Sequence, residues 1–354
     1  MSSNIHPIFQ SISNRRILIS PLDWGLGHAA RIAGVVRNLM ERNEVTVMCG
    51  PSALAFMRQE IPGADILPIH DWRIRYPKGK IGLLTILGWV PVVIRNSIHE
   101  HFVVRRLLRA RNIDLVISDN RYGLKFRNIE CMIVTHQVYP KMPRGLGWIE
   151  NVNGWLFKKF LSIFNKVLIP DMEQGFSLSG MLSADRPLNP EKFVRVGILS
   201  RFCQLADSPK NNRGYRYDVM ALISGQEDQR TVFENMLIDA LGRCGKRVLM
   251  VRGVSADKAL PPPAPCIEYR NMLSGDGLLN AINDSAVVIC RAGYSTLCDV
   301  VALGKRAVIV PTPGQTEQEY LADRLNGNMG FSGLRQDGPD FGTRLLELIG
   351  SCVS

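Results

Sequence analysis

Short apolar runs of strand length alternate with helix-length segments along this chain, and the alternation occurs twice. In the first half the strand runs are Arg16–Ser20, Val45–Cys49, Ile66–Ile69, Leu115–Ser118 and Cys131–Thr135. Helical stretches near 28–42, 52–60, 81–110 and 148–164 separate them. In the second half the strand runs are Val219–Ile223, Val248–Val251, Ile267–Tyr269, Val287–Cys290 and Ala307–Pro311. Helical stretches near 229–242, 276–284, 295–303 and 316–326 lie between those. A βαβα order of this kind means α/β architecture, with parallel sheets covered on both faces. Two passes through the pattern predict two doubly wound domains, and 354 residues suit two domains of roughly 150 each. The polar, Pro- and Asn-containing stretch near 198–214 predicts the join, giving domains 14–199 and 200–354. In open α/β sheets ligands sit outside the carboxyl ends of the strands, so two such edges facing each other would make a cleft.

Charge narrows the partners. From Arg73 to Arg111 the cations Arg73, Arg75, Lys78, Lys80, Arg95, Arg105, Arg106, Arg109 and Arg111 stand against one acid, Glu100. Such a cluster implies an anionic partner: a membrane surface, a nucleic acid or an acidic substrate. Nucleic acid is disfavoured because the stretch is aliphatic and lacks interleaved stacking aromatics. Ile81–Ile94 carries no charge but is too short to span a bilayer, which needs about 20 residues. It reads either as a buried helix or as an interfacial segment with Trp89 at headgroup level. The nearby Asn153–Lys166 stretch adds Trp155, Lys158, Lys159 and Lys166. The eight cysteines include no CxxC pair, which fits scattered thiols in a reducing cytosol better than a disulfide framework or a zinc site. The N-terminal stretch lacks the apolar core of a secretory signal, so a cytoplasmic location is expected.

Three strand-to-helix junctions carry residues suited to chemistry. Gly25-Leu26-Gly27-His28 follows the first strand, with a helix expected to start around His28. Glycines there permit a tight turn and close approach of a ligand to the backbone. Position 30 is Ala, so the GxGxxG pattern of a dinucleotide site is not completed. Arg291-Ala292-Gly293-Tyr294-Ser295-Thr296 offers hydroxyls and amides at a helix start, which suits a diphosphate. Asp299 lies one turn further on, where a carboxylate can accept ribose hydroxyls. At the next junction, Gln318 and Glu319 can bind sugar hydroxyls. Each junction taken singly also reads as an ordinary capped helix start.

The stretch from Arg291 to Ala322 resembles the C-terminal domain of family 28 glycosyltransferases. That family carries an R-S/A-G-x-x-T stretch, an acid six residues after the glycine, and a Q-Q or Q-E pair opening the next helix. The resemblance implies a GT-B fold, two Rossmann-like domains facing across a cleft, and sugar transfer from a UDP-sugar to an acceptor hydroxyl. It implies an inverting reaction that needs no metal and no cofactor. By the same resemblance Asp299 would bind the ribose, Ser295 and Thr296 the diphosphate, and Gln318 and Glu319 the donor sugar. Glu268–Leu273, including Asn271 and Met272, resembles the loop that reads the base. GLGHAAR, with Gly27, resembles the family's glycine-rich loop. Thr135-His136-Gln137 falls where the family has H-E-Q, which places His136 and Gln137 in the acceptor site. The family docks on membranes through an apolar and basic patch, so a glycan or lipid-linked acceptor and peripheral contact with the inner face of an anionic membrane are expected.

A mechanism follows in outline. His28 is the candidate base, and Asp119, ending the run LVIS, is its candidate partner. Arg291 and Arg230 would offset the charge of the leaving diphosphate. Two departures leave alternatives open. Ser224–Arg230 (SGQEDQR) stands where the family has G-G-S-Q-G, which sets two acids beside a diphosphate. The ribose acid is Asp rather than Glu. A nucleotide-sugar epimerase of the non-hydrolysing type and a catalytically idle nucleotide-sugar binder are the competing readings.

Overall fold

The computed structural model describes residues 5–70, 83–142, 147, 150–184, 188–203 and 214–353. Arg73, Arg75, Lys78, Lys80, the start of the uncharged segment at Ile81 and most of the expected join lie outside the described residues. The chain divides into two compact units, the first running to Gln204 and the second from Leu205.

The first unit is built on seven strands: β1 (Arg16–Pro21), β2 (Glu44–Cys49), β3 (Asp65–Pro68), β4 (Leu115–Asp119), β5 (Glu130–Val134), β6 (Lys166–Ile169) and β7 (Phe193–Arg195). Its helices are α1 (Pro7–Gln10), α2 (Leu26–Met40), α3 (Pro51–Glu60), α4 (Leu83–Arg111), α5 (Glu150–Leu161) and α6 (Met181–Ala184). The sheet order is β3-β2-β1-β4-β5-β6-β7, with every pairing parallel. Strand order reverses between β1 and β4, where Pro21 stands beside Asp119. Successive side chains of a strand point to opposite faces, and β1 fills two cores in this way. Ile17 and Ile19 pack with Ala29, Val36 and Met57 on one face. Leu18 packs with Val104, Leu108 and Leu161 on the other.

The second unit repeats the plan with β8 (Tyr217–Leu222), β9 (Val248–Val251), β10 (Ile267–Arg270), β11 (Ser285–Arg291), β12 (Arg306–Val310) and β13 (Phe331–Gly333). The helices are α7 (Gln229–Leu241), α8 (Gly275–Asn283), α9 (Tyr294–Ala302), α10 (Thr316–Leu325) and α11 (Phe341–Val353). The order β10-β9-β8-β11-β12-β13 reverses between β8 and β11. Phe233 and Leu237 of α7 and Leu345 of α11 close one face over Val219, Ala221 and Ile289.

The structure departs from the sequence expectations at the sheet edges and at one helix start. Strands β6, β7 and β13 were not expected; β7 and β13 are three residues long, too short to show a periodicity. Helix α2 begins at Leu26, not at His28, because Gly25 alone makes the turn. Its φ of 116° is open to glycine and strained for other residues. Gly27 therefore lies inside the first helical turn.

Helix α2 sits close against the chain that follows β7. A Cβ on Gly34 would lie 2.7 Å from the Ser200 carbonyl oxygen. Overpacking of this kind costs about 1–3 kcal/mol. We expect Gly34→Ala to lower the urea denaturation midpoint accordingly, and an unchanged midpoint would show that the contact relaxes freely.

Candidate functional site

At the β1/β4 switch point the first turns of α2 bring His28 over the end of β4. His28 Nδ1 lies 3.1 Å from Asp119 Oδ1. Asp119 is 0% exposed. Arg31, one turn after His28 on the same helix, donates from Nε to Asp119 Oδ2 at 2.9 Å. Its Nη2 is hydrogen-bonded to Asp119 Oδ1. Burial pushes the Asp119 carboxyl up, but Arg31 and His28 outweigh it and hold it well below the usual carboxylate range. Arg31 also reaches His136, with Nη1 3.0 Å from Nδ1 of that ring. His136 is buried just beyond β5, and the half-buried Gln137 beside it is held by a turn in which its N–H donates to Thr135 Oγ1 at 3.1 Å. The structure thus gathers His28, Asp119 and His136 at one sheet edge, with Arg31 at their centre.

In the second unit Arg291 ends β11 and is 2% exposed. Its acceptors are all neutral: Nη1 donates to Gln336 Oε1 at 2.6 Å and Pro311 O at 3.2 Å, and Nη2 to Gln229 O at 3.0 Å. The guanidinium lies 4.0 Å over the Phe233 ring. Its Nε has no hydrogen-bond partner. Burial without a carboxylate partner pushes the Arg291 pKa down to about 9. Next in the chain, Gly293 is the N-cap of α9 with no side-chain cap bond, and Ser295 and Thr296 are half-buried in its first turn. This edge therefore joins an under-compensated cation to a helix start, a combination that favours an anion.

Arg230 is placed differently from Arg291. It is buried, with Nε 2.7 Å from Glu227 Oε1 and Nη1 2.7 Å from Glu234 Oε2. Glu227 also accepts from Thr231 Oγ1 at 2.7 Å. These contacts fold one of the two acids of the SGQEDQR loop, Glu227, back onto the helix that follows. Glu234 in turn pairs with Arg252, whose Nη1 donates to Asn271 Oδ1 at 2.7 Å. The Asn271 side chain thus tethers the loop after β10, while Met272 beside it is exposed. Gln318 accepts from the Thr312 N–H and Glu319 from the Gly314 N–H, both at 2.9 Å, so the pair organises the loop after β12. Asp299 is buried in α9, and its charge, after burial, helps push the Cys290 thiol up to about 12. Among the described residues no three His, Cys, Asp or Glu side chains gather as a metal site.

This geometry can be set beside known proteins. The glycotransferase of kitacinnamycin superposes with a TM-score of 0.67 at 14% identity, over 97% of this chain and 91% of that one. CalG4, the calicheamicin glycosyltransferase, gives 0.64 at 15%, over 97% and 91%. MurG of Acinetobacter baumannii gives 0.54 at 15%, over 96% and 91%. Residues 274–345 match the profile described as glycosyltransferase family 28 C-terminal domain. The chain has the GT-B fold, and a segment of its second unit is similar to the family 28 C-terminal domain. A 66-residue stretch is 35% identical to the UDP-N-acetylglucosamine--N-acetylmuramyl-(pentapeptide) pyrophosphoryl-undecaprenol N-acetylglucosamine transferase of Haemophilus ducreyi. That match covers 19% of this chain and 18% of the relative's length.

The family 28 segment contains Arg291's successors Gly293, Ser295, Thr296 and Asp299 as well as Gln318, Glu319 and Gln336. The other GT-B unit holds the residue that sequence reading missed, Arg31. A signal for it was present: His28 and Arg31 are three apart, which sets them on one helix face. The carboxylate that Arg31 meets is 88 residues away in sequence, and nothing local points to it.

Asp119 supplies a test. A carboxyl held below its ordinary value adds stability that is present above that value and is lost as pH falls through the folded one. Asp119→Asn leaves Arg31 buried without its counter-charge, which costs about 3–5 kcal/mol. We expect that gap to the parent protein in urea denaturation at neutral pH, and a narrowing gap below about pH 4. A gap that stays constant through acid would overturn the ion-pair account.

Proposed function

We propose that this protein is an inverting glycosyltransferase that moves a sugar from a UDP-sugar to an acceptor hydroxyl. The observation that carries the reading is the 3.1 Å contact between His28 Nδ1 and Asp119 at the strand-order reversal of the first unit. With Nδ1–H donated to Asp119, Nε2 of His28 takes the acceptor proton. The acceptor oxygen bonds to the anomeric carbon as the bond from that carbon to the diphosphate breaks, and UDP leaves with the electron pair. Gly27 at the start of α2 lets the donor approach the backbone, and His136 and Gln137 line the acceptor side.

Donor binding falls to the second unit. Arg291 and the N–H groups at the start of α9 take the diphosphate, with Ser295 and Thr296 adding hydroxyls. Asp299 takes the ribose, Asn271 and Met272 carry the loop at the base, and Gln318 and Glu319 meet the sugar. Arg230 serves this site by holding Glu227 back from the diphosphate. The UDP-N-acetylglucosamine donor in the name of the Haemophilus ducreyi relative supports a UDP-sugar here. Its pyrophosphoryl-undecaprenol acceptor supports a lipid-linked acceptor.

The surface of the first unit supports peripheral contact with an anionic membrane. Val90, Ile94, Ile98 and Phe102 recur every four residues along α4 and are all exposed. Arg95, Arg105, Arg106 and Arg109 are exposed on the same helix. Val152, Trp155, Leu156 and Phe160 of α5 are exposed as well, with Lys159 over the Trp155 ring. Among the described residues no helix is long and apolar enough to cross a membrane. An exposed apolar face flanked by cations suits the lipid interface, each cation near an anionic surface contributing about 1 kcal/mol.

Three measurements test these readings. In a thermal-shift panel, UDP-sugars are expected to raise the melting temperature by mass action. His28→Ala should keep that shift while sugar transfer falls by about 10²–10⁴-fold. Transfer that survives His28→Ala removes the base assignment, and a panel with no shift removes the donor site. Co-sedimentation with anionic vesicles should be strong for the parent protein and weakened by Ile94→Asp with Ile98→Asp. Equal pelleting of the two proteins would remove the α4 stripe from the membrane reading.

A further inference from the structure

Arg31 has no step of its own in the transfer described above, yet it is 1% exposed and touches three chemically active side chains. It holds both oxygens of Asp119. Its Nη2 lies 3.0 Å from Nδ1 of His28 and its Nη1 3.0 Å from Nδ1 of His136. A guanidinium carries only N–H donors and keeps its charge in proteins. Each ring nitrogen of a neutral imidazole either carries a hydrogen or presents a lone pair.

These facts separate the two rings. Nδ1 of His136 faces an N–H of Arg31, so it must accept, and the ring hydrogen of His136 stands on Nε2. Nδ1 of His28 faces two groups, Arg31 Nη2 at 3.0 Å and Asp119 Oδ1 at 3.1 Å; Nη2 already gives an N–H to that same Oδ1, and the charge-assisted bond from the ring to the carboxylate is the stronger of the two. Donation from His28 to that oxygen puts the ring hydrogen of His28 on Nδ1 and the lone pair on Nε2. We propose that Arg31 is a positioning residue that, directly at His136 and through Asp119 at His28, sets the two rings in opposite tautomers, the first a base at Nε2 and the second a hydrogen-bond donor at Nε2.

The consequence is a division of labour between two histidines at one sheet edge. His28 can take a proton from an acceptor hydroxyl. His136, in the tautomer Arg31 imposes, offers an N–H to an acceptor oxygen and cannot exchange roles with His28 without breaking its contact to the guanidinium. The His136 tautomer stands on its contact to Arg31 and the His28 tautomer on its bond to Asp119; their catalytic meaning rests on the transfer reaction proposed above.

Ring-¹⁵N-histidine labelling of the full chain, read by long-range ¹H–¹⁵N correlation in mildly alkaline solution, tests the assignment. His28→Gln and His136→Gln spectra identify the two rings. The expected pattern is protonated Nδ1 for His28 and protonated Nε2 for His136. The same tautomer in both rings, or a protonated Nδ1 in His136, overturns the proposal. Arg31→Met should release His136 to an averaged tautomer pattern. If that variant does not fold, Arg31→Lys keeps the charge but has one nitrogen in place of three, and should lose the fixed pattern in at least one ring. An unaltered pattern in the folded variant overturns the role of Arg31.

A kinetic arm reads function separately. His136→Gln retains a donor N–H and should keep about tenfold more kcat/KM than His136→Leu. Equal losses overturn the donor role of His136. Opposite tautomers in a protein that transfers no sugar would sink the transferase reading and leave the Arg31 assignment standing.

Discussion

Asp119 ends a parallel strand with no exposed surface, and a lone carboxylate there would cost several kcal/mol in desolvation. The guanidinium of Arg31 is what makes the position tenable for a charge. Because Arg31 lies on α2, the ion pair fixes the rotation of that helix over β1 and β4. Once α2 is fixed, His28, one turn earlier, is carried onto the same carboxylate. The absence of a side chain at Gly34 lets the same helix lie against the Ser200 carbonyl of the chain that follows β7. The chemistry of the first unit is thus a by-product of how one buried charge is neutralised.

The second unit solves its charge problem in the opposite way. Arg230, Glu234 and Arg252 form a buried chain of ion pairs that links α7 to the loop after β10 through Asn271. Arg291 stands outside that chain, surrounded by carbonyl oxygens, an amide and an aromatic ring. Among the described residues, a buried guanidinium whose acceptors are all neutral suits the anion proposed for this edge. An orphaned polar atom at a sheet edge is informative here because nearly all buried polar groups are satisfied. The helix start beside Arg291 adds N–H groups on the same strand edge.

Much of the site was legible in the sequence, though unevenly. Gly25 and His28 could be placed because a turn and a helix start follow any strand of a doubly wound sheet. Asp119 was a candidate because it ends an apolar strand at the same edge as His28, although a turn-forming Asp before Asn120 explained it equally well. The segment from Arg291 to Glu319 was legible through its resemblance to a known family. The partnership of Arg230 with Glu234 was readable in principle, since the two lie four apart on one helix face, while Glu227 joins them from the loop before the helix. The role expected for Arg230, contact with a diphosphate, overlooked that spacing. The edge strands β7 and β13 left no signal, because three residues cannot display a period of two.

The sequence by itself determined two doubly wound α/β units and which loops emerge at their strand ends. The reason is that buried parallel strands and covering helices impose different apolar periods, and both are local. Which charged groups meet across long stretches of chain was decided only by tertiary structure. Arg31 joins Asp119 and His136 across 88 and 105 residues of chain, and Arg291 is left without a counter-ion by the fold around it. Electrostatic compensation depends on distance and burial in three dimensions, and neither has a local trace in the order of residues.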